Sequence, residues 1–390
     1  MDIASIQEAL RDRKLDGWLL YDFHGSNPIA RRIAGLNDTD KLTTRRWYYL
    51  IPACGEPRML VHDIERYSLS HLPGERLIYA RYDTLNTGLK SLVRDMHRVA
   101  IEYSPDCAIP YVSRVDAGTI DHLRRLGISP VSSGDLIQEF EAIWDAHTLD
   151  SHRTASALLY EVKDRTFAFI RNQLSSGTLT EYNVQRQMAE WFDELDLVSD
   201  CSPVVAVQEN SGNPHYLPTS ASHRAIGSEQ VVLIDLWGKL DRSDSVYADI
   251  TWVGYTGTTP HPKVSEIFGV ARAARDAAVD LVIDRVEAHH PIAGWEVDKA
   301  ARTVITDAGF GDRFIHRTGH NLGEEVHGNG AHMDDYETHD ERRLIAGSGF
   351  TIEPGIYLEE FGVRTEINMY VSQDRASVTG PRQTELTLLA

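Results

Sequence analysis

The sequence predicts an α+β protein of two domains: a smaller mixed α/β domain over residues 1–150 and a larger one over residues 151–390. Three observations predict it. The first ~145 residues alternate helical patterns with short apolar runs, as a mixed α/β unit does. Residues 144–151 have the character of a connector. Beyond them, strand-like runs dominate from Ser202 to Tyr255, two helical stretches follow, and strands return around Gly347, Gly349 and Gly355. A chain of 390 residues is long enough for two cores.

The elements follow in order. Residues 3–14 form an amphipathic helix that leads into an apolar strand at 17–21. RRWYYLIPA and RMLVHDIE flank the turn-like Cys54-Gly55-Glu56-Pro57, which predicts a hairpin. ERLIYARY, RVAIEY and ISPVSS read as further strands. A helical pattern spans 151–173, and Thr178 with Glu181 suggests a capping box for the next helix, through Trp191 and Leu195. Residues 231–238 and 245–255 read as strands, 264–289 and 295–308 as helices.

Composition narrows the class. With 42% hydrophobic and 25% charged residues, the chain reads as an ordinary globular protein. Net charge is 39 − 58 = −19, and no basic stretch offsets it, which argues against nucleic acid or anionic membrane as a partner. No apolar run approaches the ~20 residues that span a bilayer. The charged N-terminus lacks a signal-peptide core, so the expected location is cytoplasmic. Cys54, Cys107 and Cys201 form no CxxC pair and read as buried or incidental thiols in a reducing compartment.

Five candidate metal ligands lie in order along the second half: Asp235, Asp249, His320, Glu353 and Glu366. One histidine among four carboxylates is an oxygen-rich set, better suited to a pair of hard or borderline divalent cations than to one structural zinc. VVLIDLWG and SVYADITWVGY each place one acid inside an apolar strand. A buried carboxylate is costly without a cation or several donors. An antiparallel hairpin would set Asp235 and Asp249 side by side; two salt-bridged or capping aspartates would look the same. His320 lies between Gly319 and Gly323, where glycine permits close backbone approach. Glu353 ends an apolar strand before Pro354-Gly355, and FGVRTEINMYV alternates so that Arg364, Glu366 and Asn368 share one face. An exposed edge strand with an Arg–Glu pair would read alike.

Together these residues resemble the M24 metallopeptidases, the pita-bread group of methionine aminopeptidase, aminopeptidase P, prolidase and creatinase. The resemblance rests on IDLWG, ADIT, TGHNLG, IEPG and RTE in the family's ligand order. The N-terminal 150 residues look like the creatinase/prolidase N-terminal domain, which favours the Xaa-Pro branch. The resemblance implies a C-terminal pita-bread catalytic domain and a dinuclear site with Asp249 and Glu366 reaching both metals. It also implies a bridging hydroxide as nucleophile and Glu353 as the proton acceptor. His215 in SGNPHY, His327, Tyr357 and Arg364 match active-site positions of the Xaa-Pro enzymes. Two divalent ions are implied, Mn²⁺ first, with Zn²⁺, Co²⁺ or Fe²⁺ as alternatives. The substrate implied is a short peptide with proline at its second position, and the assembly a homodimer.

Two departures stand out. Asp235 and Asp249 are fourteen residues apart (249 − 235), longer than the family's usual spacing. Trp252 follows Thr251 where the family often has Arg. Trp252, Trp237 and Tyr357 are candidates for a flat wall beside a proline ring. An M24-fold enzyme for a non-peptide small substrate, such as an ectoine-type amide or dimethylsulfoniopropionate, would carry the same ligands. A binding module without catalysis is disfavoured, since it would keep five expensive buried groups to no purpose.

Overall fold

The structure, a computed structural model, describes residues 1–36 and 43–390. The chain divides into two compact units, Met1–Glu141 and Ala142–Ala390.

In the first unit β1 (Gly17–Asp22), β2 (Trp47–Pro52), β3 (Arg58–His62), β4 (Glu75–Tyr79), β5 (Arg98–Ile101) and β6 (Ser129–Ser132) form one sheet, ordered β4-β3-β2-β1-β5-β6. The hairpin read around Gly55 forms as the antiparallel β2–β3 pair. β1 and β2 are buried at every residue. Such full burial needs cover on both faces. Alternation divides the side chains accordingly. Trp18, Leu20, Tyr49 and Ile51 pack with α1 (Ile3–Asp12), α2 (Pro28–Ile33) and α5 (Gly134–Glu141). Leu19, Tyr21, Tyr48 and Leu50 pack with α3 (Tyr82–Leu92) and α4 (Ala117–Arg125). Glu102, just past β5, is fully buried and accepts from Trp18 Nε1 (2.7 Å), Asn27 Nδ2 (2.9 Å) and Ser133 Oγ (3.2 Å). Burial still pushes its pKa up to about 7.

The second unit starts with α6 (Ala146–Gln173) and α7 (Glu181–Glu194). They pack on β8 (Val204–Val207), β9 (Val231–Leu240) and β10 (Ala248–Tyr255). A short β7 (Leu197–Val198) borders β9. A second helix pair, α8 (Pro262–Glu287) and α9 (Gly294–Asp307), packs on β12 (Gly349–Ile352), β13 (Gly355–Tyr357), β14 (Gly362–Arg364) and β15 (Ile367–Val371). β11 (Asn321–Leu322) and β16 (Ala376–Val378) edge the β12–β15 sheet, and β17 (Thr387–Leu388) pairs with β10. The two sheets are joined through polar contacts. Glu366 N–H donates to the Thr251 carbonyl at 3.3 Å, and Asp249 N–H to Asn368 Oδ1 at 3.0 Å.

Four expectations change. The expected connector at 144–151 is largely helix, because Asp145 Oδ1 caps the first turn at Thr148 N (2.8 Å). The cap of α7 is Thr180, whose hydroxyl accepts from Asn183 N; Glu181 is buried and ties down Val207 N, Asn210 and Tyr216 instead. The FGVRTEINMYV run is two strands, β14 and β15, in different sheets, with Thr365 and Glu366 at the break. All three cysteines are exposed and free, which removes the buried alternative and leaves the incidental one.

Candidate metal centre

β9 and β10 form the hairpin that carries the two aspartates. Its register pairs Asp235 with Thr251, and Asp249 with Trp237. The aspartates are therefore diagonal neighbours on one face, not directly opposite as expected. The extra residues sit in the loop 241–247, outside both strands. Residues 235, 237, 249 and 251 share the site face. Trp252, paired with Ile234, points to the other side. There it packs in the helix-side core, 4.5 Å from Lys163 Nζ to ring centre, with its Nε1 donating to Thr387 Oγ1. The structure thus removes Trp252 from the candidates for a substrate wall, while Trp237 keeps its place beside Asp249 with its Nε1 held by Asp200 Oδ1 at 2.6 Å.

His320 enters from the segment before β11. A Cβ on Gly319 would run into the Thr351 carbonyl oxygen, so that position requires glycine. Gly323 meets no such limit, since its nearest neighbour would lie at 3.9 Å. His320 Nδ1 faces the Asn321 carbonyl at 3.3 Å, which turns Nε2 toward Asp249 Oδ2 (3.5 Å) and Glu353 Oε1 (3.4 Å). One ligand atom each from Asp249, His320 and Glu366 lies within 4.8 Å of the others. Asp235 joins through Arg364, whose guanidinium pairs with Asp235 Oδ2. Arg364 Nε also donates to Thr251 Oγ1 (2.9 Å), which donates to Glu366 Oε2 (2.7 Å).

All five candidate ligands therefore converge, as do Arg364, Tyr357 and His327. Arg364 donates to the Tyr357 hydroxyl at 3.1 Å, and the His327 ring stands edge-on to His320 with centroids 4.3 Å apart. His215 lies apart, exposed on a turn. Sequence reading did not assign roles to Thr251, Asn321 or His316. His316 Nε2 lies 2.7 Å from the Tyr357 hydroxyl. Its signal was the HRTGH spacing, four residues before His320. Asn321 holds the loop that bears His327: its Nδ2 donates to the Gly349 carbonyl and its Oδ1 accepts from Gly330 N, both at 2.9 Å.

The electrostatics are those of crowded acids. Burial, then repulsion by Glu366, Asp235 and Glu353, pushes Asp249 well above the carboxylate range. Burial, then repulsion by Glu353 and Asp235, does so for Glu366. Burial raises Glu353 to about 7 even though Arg364 and Arg317 pull it back. Burial drives His320 well below its usual value, His327 to about 4 and His316 to about 3, so all three are neutral. Asp249 Oδ1 and Glu366 Oε1 are buried with no hydrogen-bond partner among the described residues. Such orphaned acceptors are costly and rare. Carboxylate oxygens crowded against one another, with a neutral imidazole Nε2 turned toward them, form a donor set that fits divalent cations.

Residues 150–373 match the profile of metallopeptidase family M24, more than half of the chain. The chain belongs to that family, and the family implies divalent metal ions. Among relatives, a Xaa-Pro dipeptidase of Lactobacillus delbrueckii subsp. lactis is 36% identical over 204 residues, 51% of this chain and 49% of that protein. The chain thus spans about half the length of that relative. The crystal structure of dipeptidase PepE from Mycobacterium ulcerans is similar with a TM-score of 0.74 at 24% identity, covering 99% of this chain and 96% of that one. A prolidase from Thermococcus sibiricus is similar with a TM-score of 0.68 at 24% identity, covering 100% and 99%. These likenesses establish the pita-bread fold. Among the described residues no helix is long and apolar enough to cross a membrane.

Proposed function

We propose that this chain is a dinuclear-metal peptidase that removes the first residue from Xaa-Pro peptides, of the prolidase or aminopeptidase P type. The observation that carries the reading is the pair of buried, unpartnered acceptors, Asp249 Oδ1 and Glu366 Oε1, beside a neutral His320. Asp249 and Glu366 would reach both cations, Asp235 one, and His320 with Glu353 the other. When bound, two divalent cations supply Lewis acidity for the scissile carbonyl and bring a water within reach of ionisation near neutral pH.

The chain's own groups do the rest. The Glu353 side chain keeps 15% exposure, against 7% for Asp249 and 4% for His320, so it is the acid best placed to take a proton from water and return it to the leaving amine. His327, with the exposed His215 as the alternative, donates to the carbonyl oxygen as negative charge builds there. Arg364 is a positioning residue: it neutralises Asp235 and, through Thr251, aims Glu366. Tyr357 and His316 hold Arg364 in turn. An Xaa-Pro bond has no N–H, so its site needs a flat wall in place of an acceptor. Trp237 stands on the site face beside Asp249 and suits that role.

The test is a panel of Leu-Pro, Leu-Ala and Leu-Pro-Gly incubated with purified protein and Mn²⁺ or Zn²⁺. Release of leucine from the proline substrates, with Leu-Ala slower by about tenfold or more, is the expected result. Protein that binds two metals and cleaves no proline peptide would overturn the reading. The ratio of dipeptide to tripeptide turnover separates the two types.

A further inference from the structure

We propose a second ligand site, in the first unit, for a small anion bearing a planar ring. It is independent of the metal centre. A cavity of about 730 Å³ opens between the β1–β2 pair, the start of α3 and α4. That is within the size range of small-molecule sites.

The cavity presents a hydroxyl with no partner in the chain. Tyr48 is 2% exposed and lines the cavity, and its hydroxyl has no hydrogen-bond partner among the described residues. The ring is buried, but the hydroxyl oxygen is not one of the sealed, unpartnered atoms, so it opens into the cavity, where a ligand could take its proton.

The wall also carries two arginines that make no direct ion pair. Arg46 and Arg125 line the cavity, and neither has a carboxylate within ion-pair distance among the described residues, in a chain of net charge −19. The acid on the same wall, Asp116, is already occupied: it accepts from Thr119 N (2.9 Å), Thr119 Oγ1 (2.8 Å) and Tyr21 OH (3.1 Å). After burial, both arginines depress His122 on the same wall. Unpaired guanidinium groups beside an open hydroxyl suit a phosphate or carboxylate.

The remaining surface is aromatic. The Tyr21 and Tyr48 rings lie 5.0 Å apart, and Arg46 sits 5.8 Å over Phe23. Tyr82, also on the wall, is 79% exposed and Phe23 43%, a cost that a stacking ligand would relieve. The shared chemistry is an anionic group on a planar ring, the pattern of a nucleoside monophosphate or an aryl phosphonate.

The experiment is calorimetric titration of the full chain with AMP, phenylphosphonate, adenosine and inorganic phosphate. AMP or phenylphosphonate should bind, with adenosine and phosphate each weaker by about tenfold or more, since each keeps only half of the recognition. Tyr48→Phe and Arg46→Ala should each weaken binding about tenfold or more. Arg124→Ala, a neighbour that pairs with Asp121 and does not line the cavity, should leave it unchanged. Thermal melts show which variants fold, and Tyr48→Phe keeps the ring. No heat from any probe at millimolar concentration overturns the proposal, as does binding that survives both Tyr48→Phe and Arg46→Ala. A change of oligomeric mass in Arg46→Ala without ligand heat also overturns it, assigning the cavity to a second copy of the chain.

Discussion

Thr251 donates its hydroxyl proton to Glu366 Oε2 at 2.7 Å and accepts from Arg364 Nε at 2.9 Å, so one small side chain couples the candidate ligand Glu366 to the arginine that pairs with Asp235. Thr251 stands directly across the hairpin from Asp235. Thr251→Val keeps the shape and removes the coupling. Metal affinity or kcat should fall about 10- to 100-fold, and Thr251→Ser should recover most of it. Metal titration and steady-state kinetics on the three proteins check this.

Asn321 staples the loop that carries His327. Asn321→Ala leaves the Gly349 carbonyl and Gly330 N–H without that partner, at a cost of about 1–3 kcal/mol. The metal content should stay, while kcat/KM falls about tenfold and hydrogen exchange rises over residues 323–331. Unchanged exchange in that loop would contradict the assignment.

The two tryptophans near the site should separate cleanly. Trp237→Ala should raise KM for Leu-Pro about tenfold, because the wall is lost on the site face. Trp252→Phe should leave KM alone and cost about 1 kcal/mol of stability, from the Lys163 contact and the Thr387 hydrogen bond. Kinetics with urea unfolding of both variants distinguishes the faces.

Glu102 gives the first unit a pH dependence. Its folded pKa of about 7 lies above the ordinary 4.5, so the folded state favours the protonated acid. Its contribution is fully present below pH 4.5 and is lost as pH rises through about 7. The loss is on the order of 3 kcal/mol. Glu102→Gln should flatten the fall in urea midpoint between pH 5 and 8, measured by tryptophan fluorescence.

Chelation should expose the same sign in the second unit. Glu353 is raised to about 7, and Asp249 and Glu366 are raised well above the ordinary carboxylate range, so the chelated chain should lose stability as pH rises from about 4.5 through 7. Mn²⁺ at about a hundred times its Kd should add roughly 2.7 kcal/mol. Because cations favour ionised carboxylates, the slope over that window should reverse. Melting temperatures with EDTA and with Mn²⁺, across pH 5 to 8, report it.

Much of this was legible in the chain. Asp235 and Asp249 announced themselves as acids within apolar strands, and the β2–β3 hairpin followed from its turn residues. Other features were not legible, for physical reasons. Alternation in FGVRTEINMYV is the same whether the strand is continuous or broken at Thr365, because the break leaves Arg364, Glu366 and Asn368 all turned to the site. The polar loop at 241–247 left the hairpin register open by two residues, which decides whether Asp249 or Thr251 faces Asp235. The roles of Thr251, Asn321 and His316 depend on partners far away in sequence, at Glu366, Gly349 and Tyr357, which no local pattern encodes.

The central claim is that these five residues hold two divalent cations, and the most direct measurement is the number of ions bound at saturation. Metal-stripped protein titrated with Mn²⁺ and weighed by native mass spectrometry should take up about two ions per chain, and Glu366→Gln about one or none. Wild type that binds no ion, or a Glu366→Gln variant that binds as the wild type does, would contradict the account.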